Sequence, residues 1–278
     1  MLKDLFKNRT TPLLNIYFTA GFPQLDSMPQ VLKTLEEAGV DMVEIGMPYS
    51  DPLSDGPTIQ KSSEIAIRNG ITTDLIFEQL FKSESKIPKV MMGYFNAVYQ
   101  YGVEKFCKNC QKNNIEGVIL PDLPIPVYLE KYKVIFEQYG ITPIFLITPE
   151  TSAERIRYID DCSSTFIYAV SSSSTTGKGT GIKSAEAYLE RLQAMQLKNP
   201  ILVGFNISNK EDFDFATQYA AGGIIGSAFI KSINETGNLE KDIQLFIQSI
   251  RPKNKRYDYT TKKRHQAQSK VGLRTRFK

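Results

Sequence analysis

A chain of 278 residues that is 41% hydrophobic holds enough apolar material for one large domain, yet no run approaches the roughly 20 uninterrupted apolar residues of a membrane helix. The net charge of +4 is lopsided: residues 253–278 carry ten Lys or Arg against a single acid, Asp258, which leaves 24 basic and 29 acidic residues ahead of them, the balance of a mildly acidic globular domain. Three cysteines cannot build a disulfide framework and suit a reducing compartment, and the start MLKDLFKNRTTP has no apolar signal region, so a cytoplasmic protein is expected.

Taken in chain order, periodicity predicts strands over 14–19, 42–45, 89–92, 117–120, 143–147, 165–170, 201–203 and 223–225. Helical patterns fall over 28–38, 75–83, 103–113, 127–139, 153–161, 185–195, 210–219 and 239–250. Eight parallel strands joined by crossover helices predict a (β/α)8 TIM barrel, which leaves no edge strand exposed. A doubly wound open sheet is the alternative, but no GxGxxG turn follows the first strand. Cys107 and Cys110 have C-x-x-C spacing inside a helical pattern; without a second pair or clustered His, a helix face is the reading and no metal site is expected. Residues 1–252 are thus read as one barrel domain, and 253–278 as a basic, mobile appendage. Its charge could attract nucleic acid, but a solvated extension accounts for the same composition and no nucleic-acid partner is expected.

The segment VEIGMPYSDPLSDGPTIQ, residues 43–60, concentrates the chemistry. Glu44 interrupts an apolar strand, where an unpaired carboxylate is costly, and Asp51 and Asp55 follow in a Pro- and Gly-punctuated loop. A strand-end carboxylate facing a loop carboxylate can serve as general acid and base around a small substrate. On the residues alone, Glu44 could equally be a satisfied internal acid, and Asp55 a turn residue capping the next helix. LVGFNIS and IIGSAFIK follow strands seven and eight, where Gly204, Phe205 and Asn206, with Gly226 and Ser227 opening a short helical segment, offer backbone N–H groups to a phosphate; tight turns are the alternative. SSSSTTGKGTG after strand six reads as a flexible connector or a lid.

Together the segments IYFTAGFP, VEIGMPYSDPLSDGPTIQ, MMGYFNAV, PDLP, FIYAVSSSSTTG, GFNIS and IIGSAFIK resemble, in order, the tryptophan synthase α-subunit family over about residues 10 to 250. The resemblance implies a (β/α)8 barrel that cleaves indole-3-glycerol phosphate to indole and D-glyceraldehyde 3-phosphate. It also implies no cofactor of its own and an α2β2 assembly whose β subunit holds pyridoxal phosphate. The family's catalytic glutamate falls on Glu44 and its aspartate on Asp55. Tyr168 matches a tyrosine near that glutamate, and Thr176 and Gly177 match the loop's threonine and phosphate-binding glycine. Gly204, Phe205, Asn206, Gly226 and Ser227 match the rest of a phosphate cradle, while Tyr17, Met92 and Tyr94 wall an indole pocket. PDLP, with Asp122, is implied to meet the β subunit.

Four departures accompany the resemblance. SSSSTTG replaces an Arg and an Ala-Gly pair ahead of the loop threonine, although the spacing from Tyr168 to Gly177 is kept. Asn206 stands where a glycine is common; Asn tolerates unusual backbone angles, so the turn is expected to survive. Ala97 replaces a proline after Asn96, and the basic tail has no counterpart. Two other readings remain beside turnover: an α-type subunit that mainly activates β, and another phosphate-binding barrel isomerase, which would share the cradle but lack the SDPLSDGP loop.

Overall fold

The structure is a computed structural model that describes residues 2–7, 9–171, 181–233 and 235–252. Nine parallel strands form one sheet: β1 (Leu13–Thr19), β2 (Met42–Gly46), β3 (Lys89–Met92), β4 (Ile115–Ile119), β5 (Thr142–Pro143), β6 (Leu146–Ile147), β7 (Ile167–Val170), β8 (Ile201–Gly204) and β9 (Gly222–Ile225). Their order is β5-β4-β3-β2-β1-β9-β8-β7-β6. The two ends of that order are consecutive in the chain, so the sheet curls into a barrel whose seam is the pair Ile144–Phe145. Across it, the Ile144 N–H donates to the Val118 carbonyl at 2.8 Å, and the Phe145 carbonyl accepts from the Tyr168 N–H at 3.0 Å.

The predicted strand 143–147 is therefore two short ladders rather than one. Its apolar alternation is real, with Ile144 facing the barrel interior and Phe145 the helical layer. What the apolar pattern cannot show is that the first half bonds to β4 and the second to β7. The other predicted strands are present within a few residues.

The helices are α1 (Met28–Glu37), α2 (Pro57–Arg68), α3 (Thr73–Lys82), α4 (Phe95–Tyr101), α5 (Val103–Lys112), α6 (Ile125–Val127), α7 (Lys133–Gln138), α8 (Ala153–Cys162), α9 (Glu186–Ala194), α10 (Lys210–Ala216), α11 (Ser227–Ser232) and α12 (Leu239–Ile250). Thr72, Ser152, Asn209 and Asn238 cap α3, α8, α10 and α12 by accepting a backbone N–H three residues on, which satisfies donors the helix leaves open. The predicted helix 127–139 contains a π turn at Tyr128–Tyr132 between α6 and α7. Neither α2 nor α4 figures among the predicted helices. No helix among the described residues is long and apolar enough to cross a membrane.

Two cores result. An outer one, between barrel wall and helices, includes Phe18, Leu32, Val43, Phe106 and Phe229. An inner one fills the barrel with Leu13, Met42, Val90, Ile119, Phe166 and Leu202, and Leu2 from a single N-terminal 3-10 turn (Leu2–Phe6) plugs its lower mouth. Cys107 and Cys110 belong to the outer core, where burial pushes the Cys107 thiol up to about 12. At the same lower end, Asp41 accepts from Arg9 and Arg251 at 2.9 Å each and from the Leu14 N–H at 2.8 Å. Arg251 also donates to the carbonyls of Pro12 and Gly39.

Candidate active site

The C-terminal ends of the strands open on a cavity of about 1300 Å³. Of the residues singled out from the sequence, Tyr17, Asp55, Met92, Tyr168, Phe205, Asn206, Gly226 and Ser227 line it. Thr176 and Gly177 lie outside the described residues. Glu44, Tyr94 and Gly204 stand behind the wall.

Glu44 is placed by β2, whose register sets it beside Tyr17 of β1 and Val90 of β3. It is 0% exposed. Asn15 Nδ2 donates to its Oε1 at 2.6 Å, while Oε2 has no hydrogen-bond partner among the described residues. Burial disfavours the ionised carboxylate and pushes Glu44 up to about 8, with the Asn15 hydrogen bond acting the other way. Burial is the main cause that keeps the Tyr17 and Tyr168 phenols neutral, followed by the neighbouring carboxyls, Asp55 ahead of Glu44 for Tyr17 and Glu44 ahead of Asp55 for Tyr168.

Asp55 is half-buried at the end of the loop that enters α2. Its N–H donates to the Pro52 carbonyl, and Gln60 Nε2, on the first turn of α2, donates to the Asp55 carbonyl at 2.8 Å. The cap of α2 is Gly56, followed by Pro57, so Asp55 is free of the capping duty that a Ser-Asp-Gly-Pro stretch suggests. Tyr94 Oη donates to Asp55 Oδ2 at 3.3 Å and accepts the Ser54 N–H at 2.9 Å. Burial raises Asp55 to about 6 against that hydrogen bond, and raises Tyr94 to about 12. Tyr49 stacks on Tyr94 at 5.0 Å and accepts from Asn96 Nδ2. Asp51 accepts from the Ser50 hydroxyl and stays within the loop.

On the opposite wall, β8 ends at Gly204 and the chain turns through Phe205 (φ 67°) and Asn206 (φ 57°), two consecutive left-handed residues. Ser171 holds this turn: its N–H donates to the Gly204 carbonyl at 3.0 Å and its hydroxyl to the Phe205 carbonyl at 2.7 Å. Gly204 is required by close approach, since a Cβ there would overlap the Tyr168 hydroxyl, and one at Gly46 would overlap that of Tyr17. Gly226 and Ser227 begin α11 beside the turn.

Asn15, Gln60 and Ser171 are contributors the sequence did not single out. Nor did it single out a buried Thr19–Ser62 hydroxyl pair at 2.7 Å, which ties the end of β1 to α2. A signal for Asn15 was present: it is the one amide in LLNIYFT, two residues before Tyr17 and on the same side of the strand.

A model of the family "Tryptophan synthase alpha chain" matches residues 4–257. The tryptophan synthase alpha chain of Flavobacterium psychrophilum is 55% identical over 228 residues, covering 81% of this chain and 90% of that one. That of Flavobacterium johnsoniae is 54% identical over 242 residues, covering 86% and 95%. The crystal structure of tryptophan synthase subunit alpha from Legionella pneumophila superposes with a TM-score of 0.78 at 30% identity, over 90% of this chain and 94% of that one. A closed barrel with this match along nearly its whole length places the chain in the tryptophan synthase alpha chain family.

Proposed function

We propose that this chain is a cytoplasmic carbon–carbon lyase that cleaves indole-3-glycerol phosphate to indole and D-glyceraldehyde 3-phosphate, with Glu44 and Asp55 as its catalytic pair. The observation that carries the assignment of roles is their placement: Asp55 lines the cavity, and Glu44 is fully buried directly behind it, beside the lining residue Tyr17. With Glu44 raised to about 8 and Asp55 to about 6, neutral pH leaves the first protonated and the second ionised.

That is the state the reaction needs. Glu44 delivers its proton to indole C3, and the positive charge that develops on the ring is met at N1–H by the Asp55 carboxylate. As the bond between C3 and the glycerol chain breaks, the chain's hydroxyl proton returns to Glu44, leaving an aldehyde and neutral indole. The phosphate sits at the Gly204–Asn206 turn and the start of α11, where backbone N–H groups and the Ser227 hydroxyl face it. The family resemblance assigns Thr176 and Gly177, outside the described residues, to the same phosphate. Tyr17 and Met92 wall the ring, Tyr94 stands behind them and holds Asp55, and Tyr168 lies between Glu44 and the phosphate turn.

The chain takes no cofactor; pyridoxal phosphate belongs to the β subunit with which it forms an α2β2 assembly. The partner face is the C-terminal end of the barrel around PDLP, where Asp122 accepts the N–H groups of Phe95 and Asn96 and ties that loop to the start of α4. Leu53, 90% exposed in the Asp51–Asp55 loop, is the apolar anchor on that face.

Indole release from indole-3-glycerol phosphate, assayed with and without a cognate β subunit, tests the proposal. Turnover that rises with β and falls about a hundredfold or more in Glu44→Gln and Asp55→Asn is the expected result. Turnover untouched by both substitutions overturns the roles, and binding of β without turnover points to an activating subunit.

A further inference from the structure

Resting on the reading of Glu44 as the proton donor, we propose that Asn15 is a positioning residue: its amide pins Oε1 of Glu44 and so designates Oε2 as the oxygen that exchanges the proton with substrate.

Both residues are 0% exposed, and they face each other from adjacent strands inside the barrel. An amide in that position, among the apolar inner core that includes Leu13, Met42 and Val90, is costly unless bonded. Among the described residues the amide has one partner, Glu44 Oε1 at 2.6 Å. Glu44 Oε2 and Asn15 Oδ1 are both buried without hydrogen-bond partners among the described residues.

A neutral carboxyl accepts best at its carbonyl oxygen. An N–H held on Oε1 therefore makes Oε1 that oxygen and puts the acidic hydrogen on Oε2. When Oε2–H passes to indole C3, the carboxylate left behind keeps the amide N–H as a charge-assisted hydrogen bond. The glycerol hydroxyl proton then returns to Oε2 and the neutral acid is restored, so one oxygen gives and recovers the proton while the other never moves. The titratable groups around Glu44 are Tyr17 from β1, Tyr168 from β7 and, farther out, Asp55; β3 presents only Val90 in register. Both phenols are kept neutral by burial, which leaves Asn15 as the hydrogen bond that favours the ionised form of Glu44.

The test is the pH dependence of kcat and KM for indole release by the full chain with cognate β subunit added, in the parent, Asn15→Leu, Asn15→Asp and Glu44→Gln. Asn15→Leu is expected to lower kcat about tenfold or more. KM stays near the parent value because Asn15 is off the cavity wall, and the alkaline limb moves to higher pH. Asn15→Asp preserves the side chain's shape but sets a second carboxyl against Glu44, so its alkaline limb also moves up. Should Asn15→Leu fail to fold by thermal melting, Asn15→Asp decides alone. Folded variants with the parent's kcat and alkaline limb overturn the inference. Glu44→Gln separates the two layers: if it retains turnover, the role of Glu44 itself fails, whereas an inactive Glu44→Gln beside parent-like Asn15 variants removes only the role of Asn15.

Discussion

Glu44 and Asp55 are both carboxyls, and only their surroundings divide the work. Glu44 must be protonated and Asp55 ionised, so kcat/KM should follow a bell, rising through about 6 and falling through about 8. Removing the hydroxyl that favours ionised Asp55 moves one limb alone: Tyr94→Phe should shift the acid limb to higher pH and leave the alkaline limb in place, read from a pH–rate profile. Burial of Glu44 also makes stability depend on pH. Its folded value lies above its unfolded one, so the folded state holds the proton more tightly, and stability present below about 4.5 is lost as pH rises towards 8. The loss is on the order of 5 kcal/mol as an upper bound. Glu44→Gln cannot ionise and should unfold at higher urea than the parent at pH 8.5, with a flatter dependence on pH, even as turnover disappears. Glu44 itself was legible because a carboxylate in an apolar strand is conspicuous. Asn15 was not, because an amide is a weaker anomaly and its partner lies on another strand.

At the level of elements, the strands were legible as short apolar runs bounded by Gly, Pro and charges, whereas α2 and α4 escaped notice. In α2 the buried Ile59, Ser62, Ser63 and Ala66 include two serines, so its inner stripe looks polar in sequence, although those hydroxyls are bonded or buried within the fold. α4 spans Phe95–Tyr101 with Val98 as its buried residue, too short a repeat to register. The turn after β8 is a different case: Asn206 was expected to tolerate unusual angles, and it does, but Phe205 adopts them too. A left-handed backbone costs a residue with a Cβ about 1 kcal/mol, less for Asn and least for Gly. Asn206→Ala should therefore lower unfolding free energy by roughly 1 kcal/mol relative to Asn206→Gly, measured by urea denaturation. Its KM for the phosphorylated substrate should rise if the turn cradles the phosphate.

For the molecule as a whole, eight predicted strands pointed to a barrel, and the barrel is there. The seam at Ile144–Phe145 was hidden because sequence shows which side chains alternate, not which neighbour takes each backbone bond. The clamp at Asp41 was equally hidden, since Arg9, Asp41 and Arg251 meet from distant parts of the chain. Arg251→Ala removes donors from Asp41 and the carbonyls of Pro12 and Gly39, and should cost about 1–2 kcal/mol in urea denaturation while kcat is unchanged. Ending the chain at residue 252 should likewise leave turnover intact, as residues 1–252 are proposed to be the catalytic domain. The clamp also bears on engineering. Arg9 and Arg251 meet on one carboxylate at the end of the barrel opposite the cavity, so a short peptide could join those two points without crossing the catalytic face. A circular permutant with new termini in an exposed lower loop should then keep its chemistry, and a reporter fused after residue 252 would leave the molecule from the side that substrate never visits.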